Sequence, residues 1–214
     1  MTKKTYALAG LGLTTLLLAS CSGDNVEEIQ SAVGEIDQIH GNIVDEMNGL
    51  SEEEMNLQTT FDEALASDDQ MSTFADGSAP VFENITSRRD RIETISSLRE
   101  DFESQEEIIA DYDGESLSGE ELSGLNAKID EFSGQIESFT SNYETSLTAQ
   151  EDYFTSIGSE DATYDTFSNG ITELNEQTAA NKEELVQLDG SLVEVKDHIT
   201  QVQEMIQSKM AENE

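Results

Sequence analysis

The chain of 214 residues has one Cys, one Pro and no Trp, and it sets only 10 Lys and Arg against 47 Asp and Glu. A single Cys excludes a disulfide framework, a Cys-X-X-Cys redox site and any zinc site made of several cysteines. The formal net charge of −37 repels nucleic-acid phosphates and anionic lipid headgroups. The composition therefore argues against nucleic-acid binding and against membrane binding through a basic patch. The length allows one domain, or at most two small ones.

The first twenty residues have the pattern of an export signal. Lys3 and Lys4 make the start basic, and an uncharged, mostly apolar run extends from Tyr6 to Leu18. This run is shorter than the ~20 apolar residues that a membrane-spanning helix needs. It therefore predicts the core of a signal peptide at residues 1–20.

The only Cys lies directly after that run, in the order Ala19-Ser20-Cys21. The segment resembles a bacterial lipobox, and the resemblance implies cleavage between Ser20 and Cys21 and a diacylglyceryl thioether on Cys21. Two acyl chains, at about 0.8 kcal/mol per buried CH₂, hold a protein firmly on a membrane. The alternative is an ordinary secretory signal with a chance Cys at its end. We expect residues 21–25 to be the lipidated N-terminus and tether, on the extracytoplasmic face of the cell membrane, and residues 26–214 to form a helical bundle domain.

Removal of residues 1–20 would take away two lysines and no acids, which leaves a net charge of −39 on the mature chain. So acidic a chain could be disordered, and its hydrophobic periodicity decides the question. From Val26 onward, apolar residues recur with alternating steps of three and four, which predicts amphipathic helices and no strands. The pattern forms four segments, at residues 26–65, 85–112, 122–157 and 164–206.

Punctuation signals separate these segments. Gly49 followed by the capping-box pattern at Ser51 predicts that the first helix is interrupted and restarts. Residues 67–80 contain the only Pro and predict a loop. A second capping box at Ser118 predicts the start of the third helix, and Ser159 is the expected N-cap of the last.

An isolated helix cannot bury the stripe of apolar residues along one of its faces, so the four segments should pack together. We predict an all-α fold, an elongated antiparallel, up-and-down four-helix bundle with coiled-coil-like heptads. Helices of ~40 residues would be ~60 Å long.

Candidate catalytic and metal-binding residues are few. The chain has no HExxH, GxSxG or phosphate-binding glycine loop, and its acids are too dense for a carboxylate pair to be informative. Asp37 and His40 make one acid-X-X-His pair, but a di-metal bundle needs two, and the other histidine, His198, has no acid three residues earlier. We therefore expect no metal, no cofactor other than the lipid on Cys21, and a packed, hydrogen-bonded His40 that fixes helix register. The acidic segment from Asp111 to Glu115 has a weak likeness to a calcium loop, and we interpret it as an interhelical turn.

Two further sets of polar residues leave alternatives open. Half of the mature chain's positive charges lie within twelve residues of the second segment, at Arg88, Arg89, Arg91 and Arg99. They form either a patch for anionic wall polymers or, as we expect, ion pairs with acids of adjacent helices. In the last segment, Thr178 and Asn181 interrupt the apolar stripe, and we interpret them as buried polar residues that fix register rather than as a pocket.

The lipobox Cys followed by long amphipathic helices resembles the cell-wall binding lipoproteins of Gram-positive bacteria, the YkyA-like family. The resemblance is carried by the segment from Arg91 to Phe102 and by the last segment, where Phe167, Ile171, Leu174-Asn175 and Asn181 have a similar spacing. It implies a four-helix up-and-down bundle and no catalytic residues.

These observations together favour a membrane-anchored, extracytoplasmic, non-enzymatic protein that binds the cell wall or another envelope component, or acts as a spacer. Its expected partners are the membrane, through the lipid anchor, and peptidoglycan or envelope proteins, with no nucleic acid. The alternative is a regulatory or accessory subunit of an envelope enzyme or transporter.

Overall fold

The computed structural model describes residues 25–212, so Ser20 and Cys21 lie outside the described residues. Four long helices fill most of this range: α1 (Val26–Ser67), α3 (Pro80–Ala110), α4 (Gly119–Ile157) and α5 (Tyr164–Glu212). A one-turn helix, α2 (Ser72–Ala75), lies between α1 and α3. The prediction of an all-helical fold is confirmed for residues 25–212, which contain no strand.

The predicted apolar stripes form the core. On α5, for example, Val195, Ile199 and Val202 are fully buried at the three-and-four spacing that marked them in the sequence. Each long helix packs on two of the others: α1 on α3 and α5, and α4 on α3 and α5. At 1.5 Å per residue, the 49-residue α5 is about 74 Å long.

Side-chain bonds between neighbouring helices show the order of pairing. Between α1 and α3, Glu46 bonds Arg91 and Glu53 bonds Asn84. Later residues of α1 therefore contact earlier residues of α3. The bonds between α1 and α5 follow the same reversed order, because His40 reaches Leu192 whereas Glu54 reaches Asn181.

The predicted interruption of the first helix is wrong. Helix α1 runs without a break through Gly49 and Ser51 to Ser67. The physical reason is that Leu50, Leu57 and Phe61 continue the buried stripe beyond the glycine. Burying these side chains outweighs the roughly 1 kcal/mol that a helical glycine costs relative to alanine.

The predicted loop at residues 67–80 contains helix α2. The Asp68 carboxylate organises its start, accepting hydrogen bonds from the Thr73 backbone N–H at 2.7 Å and from Thr73 Oγ1 at 2.8 Å. These bonds lower the pKa of Asp68 below its ordinary value. Phe74 is fully buried against Phe61 and Phe154, so this short helix closes one end of the core.

The two later helix starts differ in how well the sequence predicted them. The predicted cap at Ser118 is confirmed, because its side chain accepts from the Glu121 backbone N–H. The predicted N-cap at Ser159 is wrong: α5 begins five residues later, where Thr163 Oγ1 accepts from the Thr166 backbone N–H at 3.1 Å. Residues 159–162 (SEDA) carry no large apolar side chain to bury, so helix formation starts only as the chain approaches Phe167.

Candidate functional site

A buried polar layer crosses the middle of the molecule, centred on Arg88 of α3. The Arg88 side chain is fully buried. Its Nη2 donates to Gln150 Oε1 of α4 at 2.6 Å and its Nη1 to Tyr143 Oη of α4 at 3.4 Å. The same Nη1 lies 4.0 Å from Glu54 Oε1 of α1. A cation buried among apolar side chains is costly unless it is paired, and Glu54 supplies the pairing charge.

The layer continues to the fourth long helix. Tyr143 Oη donates to Glu54 Oε1 at 2.9 Å, and Asn181 Nδ2 of α5 donates to the same oxygen at 3.3 Å. Asn181 Nδ2 also donates to Ser146 Oγ at 3.2 Å, and that oxygen accepts a further bond from Gln150 Nε2. The hydrogen bonds thus form a closed ring that joins α1, α3, α4 and α5.

Burial raises the pKa of Tyr143 far above its ordinary value, although the Arg88 charge opposes the change. The phenol therefore stays protonated and can donate to Glu54 throughout the ordinary pH range. Among the residues of the ring, only Arg88 leaves a buried nitrogen, Nε, without a hydrogen-bond partner. A polar layer of this kind favours one register of the facing helices, because sliding any helix would leave further buried groups without partners.

One end of the layer is open to a groove between α1 and α5. The groove has a volume of about 420 Å³, and Glu54 lies on its lining. Most of the lining is apolar, and two of its side chains are unusually exposed for their type: Met55 at 74 % and Val186 at 65 %. The lining residues are Val44, Met47, Asn48, Ser51, Glu54, Met55, Thr178, Lys182, Leu185, Val186, Asp189 and Leu192.

The helices that form the groove are strongly acidic. Helix α1 carries eleven Asp and Glu and no Lys or Arg. Helix α5 carries ten acids and three lysines. One of these lysines, Lys182, lies on the groove itself. The groove is therefore an apolar site within an anionic surface.

The three residues predicted to fix helix register lie along this same seam. His40 Nε2 is 3.0 Å from the Leu192 carbonyl oxygen, a bond that joins α1 to α5. Asn181 is buried in the polar layer, and Thr178 is half-buried on the groove wall. Their role in register stays a prediction.

The Asp37–His40 pair is not arranged as a metal site. Asp37 pairs with Lys196 and accepts from Gln203 Nε2 at 3.4 Å, while His198 Nδ1 lies 2.9 Å from the Glu194 carbonyl oxygen. Partial burial opposes the change, but the hydrogen bonds from Lys196 and Gln203 lower the pKa of Asp37. Among residues 25–212, no three His, Cys, Asp or Glu side chains come together as a metal-binding group.

The arginines of α3 are paired with acids, and the expected pairing with adjacent helices is confirmed for Arg88, Arg89 and Arg91 but is wrong for Arg99. Arg89 bridges to Glu144 and Glu151 of α4. Arg91 bonds Glu46 of α1 at 2.9 Å, and Arg99 bonds Glu103 of its own helix at 2.6 Å. The acidic segment beginning at Asp111 lies in the turn between α3 and α4, as predicted.

Sequence reasoning missed four members of the polar layer: Glu54, Tyr143 in its polar role, Ser146 and Gln150. A signal for Gln150 was present, because it occupies a stripe position between Leu147 and Phe154 yet is polar and fully buried. Arg88 likewise lies in the stripe of α3 between Ile85 and Ile92. Polar residues at stripe positions on two different helices are candidates for a buried pair.

In the part of the chain from residue 25 to residue 212, no helix is both long and apolar enough to cross a membrane. No curated protein and no solved structure matches the chain significantly. A family model does match: residues 24–205 fit the YkyA family, described as "putative cell-wall binding lipoprotein". Because this match covers the polar layer, the groove and nearly all of the helical region, the chain belongs to the YkyA family of lipoproteins.

Proposed function

We propose that the protein is a lipid-anchored, extracytoplasmic binding or spacer protein of the cell envelope and has no catalytic activity. Membership of a cell-wall binding lipoprotein family is the observation that carries this proposal. The lipobox-like sequence ending in Cys21 supports the anchor, which would place the helical region outside the membrane.

The architecture we propose is an elongated, up-and-down, antiparallel four-helix bundle. The reversed order of the bonds between α1 and α3 and between α1 and α5 supports it, as does the pairing of each long helix with two others. Such a rod, tethered at its N-terminus, reaches about 60 Å or more from the bilayer. Small-angle X-ray scattering tests the shape: a compact chain of about 190 residues has a radius of gyration of about 16 Å, and the rod should exceed it clearly.

The acidic surface constrains how the protein contacts the wall. Anionic wall polymers and a mature chain of net charge −39 repel each other. Contact must therefore use neutral polar and aromatic side chains, or divalent cations that bridge carboxylates to anionic groups of the wall. Binding by either route persists or strengthens when salt or magnesium is added, since screening removes the repulsion.

Sedimentation of the domain (residues 22–214) with purified insoluble peptidoglycan tests this function. We expect the domain to enter the pellet, and the pelleted fraction to hold or rise with added NaCl or MgCl₂. Failure to sediment, together with failure to cross-link to any envelope protein, contradicts the proposal. Release of soluble wall fragments contradicts the absence of catalysis.

A second candidate is an accessory subunit of an envelope enzyme or transporter. The specific observation in its favour is the apolar groove with exposed Met55 and Val186, because exposed apolar patches within polar surroundings are typical of protein-binding sites. Cross-linking in intact membranes separates the two candidates: wall binding predicts pelleting with pure peptidoglycan, and a subunit role predicts one dominant protein adduct.

A further inference from the structure

We propose that the groove between α1 and α5 binds a basic amphipathic helix belonging to another protein of the cell envelope. This goes beyond wall binding or spacing, because it assigns a particular surface and the chemistry of the segment that occupies it.

The dimensions of the groove fit one apolar face of a helix. Its lining on α1 extends from Val44 to Met55, which is twelve residues and about 16 Å of helix. Apolar side chains at positions i, i+3 or i+4, and i+7 of a docking helix span about 10.5 Å, so one heptad fits within that length. Met47 and Met55 line the groove, and the flexible thioether of methionine adapts to different apolar side chains.

The approach to the groove is open. Gly41 lies seven residues before the groove residue Asn48, hence on the same face of α1, and a Cβ at Gly41 would meet no atom within 4 Å. Gly190, four residues after Val186 on α5, has the same open space. Val193, one heptad beyond Val186, is 57 % exposed and extends the apolar surface. The surface beside the groove is therefore open at these two glycines, and the apolar surface continues along α5.

Charge complementarity decides which helix would bind. Helices α1 and α5 together carry 21 acids and three lysines, so a docking segment with Lys and Arg on its outer face is attracted to the rim. A second copy of this chain carries the same negative charge and is repelled, which argues against self-association through this surface. The occupant that suits both the apolar lining and the excess of acids on the two helices that form the groove is a basic amphipathic helix.

A fluorescently labelled peptide of about 18 residues, made of Leu and Lys with Leu on one helical face, is the probe. The full helical domain is titrated against this peptide and against a scrambled isomer of equal charge. Val186→Asp places a charge in the groove, and Thr148→Asp adds the same charge at an exposed position on α4, a helix that does not line the groove. Both positions are exposed, so both variants should fold, which circular dichroism checks.

We expect the amphipathic peptide to bind more tightly than its scrambled isomer and to gain helicity on binding. Val186→Asp should weaken its affinity about tenfold or more, while Thr148→Asp should leave it unchanged. The proposal is overturned if the domain binds both peptides equally, or if both variants bind the amphipathic peptide equally. Binding would then depend on charge attraction alone and not on the groove. A wild-type dimer that Val186→Asp dissociates also overturns it, since a second copy would then occupy the groove. Loss of peptide binding with retained peptidoglycan sedimentation identifies a failure of this inference and not of the proposed function.

Discussion

The ring of Tyr153 on α4 lies directly against the Cα of Gly170 on α5, so closely that a Cβ at residue 170 would overlap Cδ2 and Cε2 of the ring. The Tyr153 hydroxyl lies 3.3 Å from the Phe167 carbonyl oxygen, to which it donates, one turn earlier on α5. This close approach holds α4 and α5 together beside the aromatic cluster of Phe61, Phe74 and Phe154.

We expect Gly170→Ala to lower the melting temperature even though alanine is the better helix former. The added methyl displaces a mostly buried ring, and overpacking of a core typically costs about 1–3 kcal/mol. Gly190→Ala on the same helix is the matched control, because a Cβ there meets open space. The control should raise the melting temperature, through a gain of up to about 1 kcal/mol in helix propensity. Thermal unfolding followed by circular dichroism measures both, and equal increases in the two variants would contradict the packing argument.

Removing Arg88 should destabilise the domain strongly. Arg88→Ala leaves Glu54, Gln150 and the Tyr143 hydroxyl without their buried partner, and breaking a buried ion pair costs about 3–5 kcal/mol. Urea unfolding measures the loss.

The control is Arg99→Ala, since Arg99 bonds the partly exposed Glu103 on its own helix and such pairs contribute under about 1 kcal/mol. If Arg88→Ala does not fold, the double variant Arg88→Met with Glu54→Gln tests the same point. It removes both charges and should be more stable than Arg88→Ala. Equal losses for Arg88→Ala and Arg99→Ala would show that the polar layer contributes little.

A pH-dependent effect is expected at Glu106 of α3. Burial raises the pKa of Glu106 above its ordinary value of 4.5, and the charges of Asp130, Glu103 and Glu107 add to the effect. A carboxyl whose pKa is raised on folding contributes stability below its unfolded pKa, and that contribution is lost as the pH rises through the folded pKa. At neutral pH the ionised group therefore destabilises the fold.

Glu106→Gln should raise the melting temperature at pH 7, by about 1–3 °C. The advantage should vanish below pH 4.5, where Glu106 is neutral in both the folded and unfolded states. Glu107→Gln removes the same charge at an exposed position on the same helix and should give a smaller increase. An increase from Glu106→Gln that is the same at both pH values would contradict the linkage to this carboxyl.

Added salt should stabilise the whole domain. The acids of a domain with a net charge of −39 repel one another, and at 0.1 M ionic strength the Debye length is about 10 Å, so screening relieves most of the longer-range repulsion. The urea midpoint at constant pH should rise as NaCl is increased, with an unchanged slope. A midpoint that falls with salt would mean that the ion pairs of α3 outweigh the general repulsion.

Cys21→Ser should abolish anchoring through the lipid. Ser cannot form the thioether, so the protein is either released or left as an unprocessed precursor. Fractionation of cells followed by mass spectrometry tests this, with Ser22→Ala, the neighbouring residue, as the control that keeps the lipid. Membrane retention and mass identical to wild type in Cys21→Ser would contradict the anchor.

The sequence predicted the helices well because their signal is local. The three-and-four spacing of apolar residues on α5 indicates which side chains are buried. Val195, Ile199 and Val202 could therefore be predicted as core residues from the sequence alone. The start of α4 was predictable for the same reason, since Ser118 caps a residue only three positions away.

The features that the sequence did not predict depend instead on contacts between residues that are distant in the chain. Gly49 was expected to break α1, but the stripe that continues beyond it is buried against other helices. The partners Glu54, Arg88 and Gln150 are separated by 34 and 62 residues, and nothing local indicates that they meet. The groove was equally hidden, since its lining combines residues of α1 with residues of α5 that lie far apart in the chain.

The cations of the molecule are distributed unevenly over its helix interfaces. The arginines of α3 act as fixed counterions: Arg91 ties α3 to α1, and Arg89 ties it to α4. Between α1 and α5, Lys196 with Asp37 is the single such tie among the described residues. These two helices are the first and last of the fold, so no loop joins them either. We therefore expect the interface between α1 and α5 to open first. Amide hydrogens of α1 and α5 along this interface should exchange before those at the interface between α3 and α4.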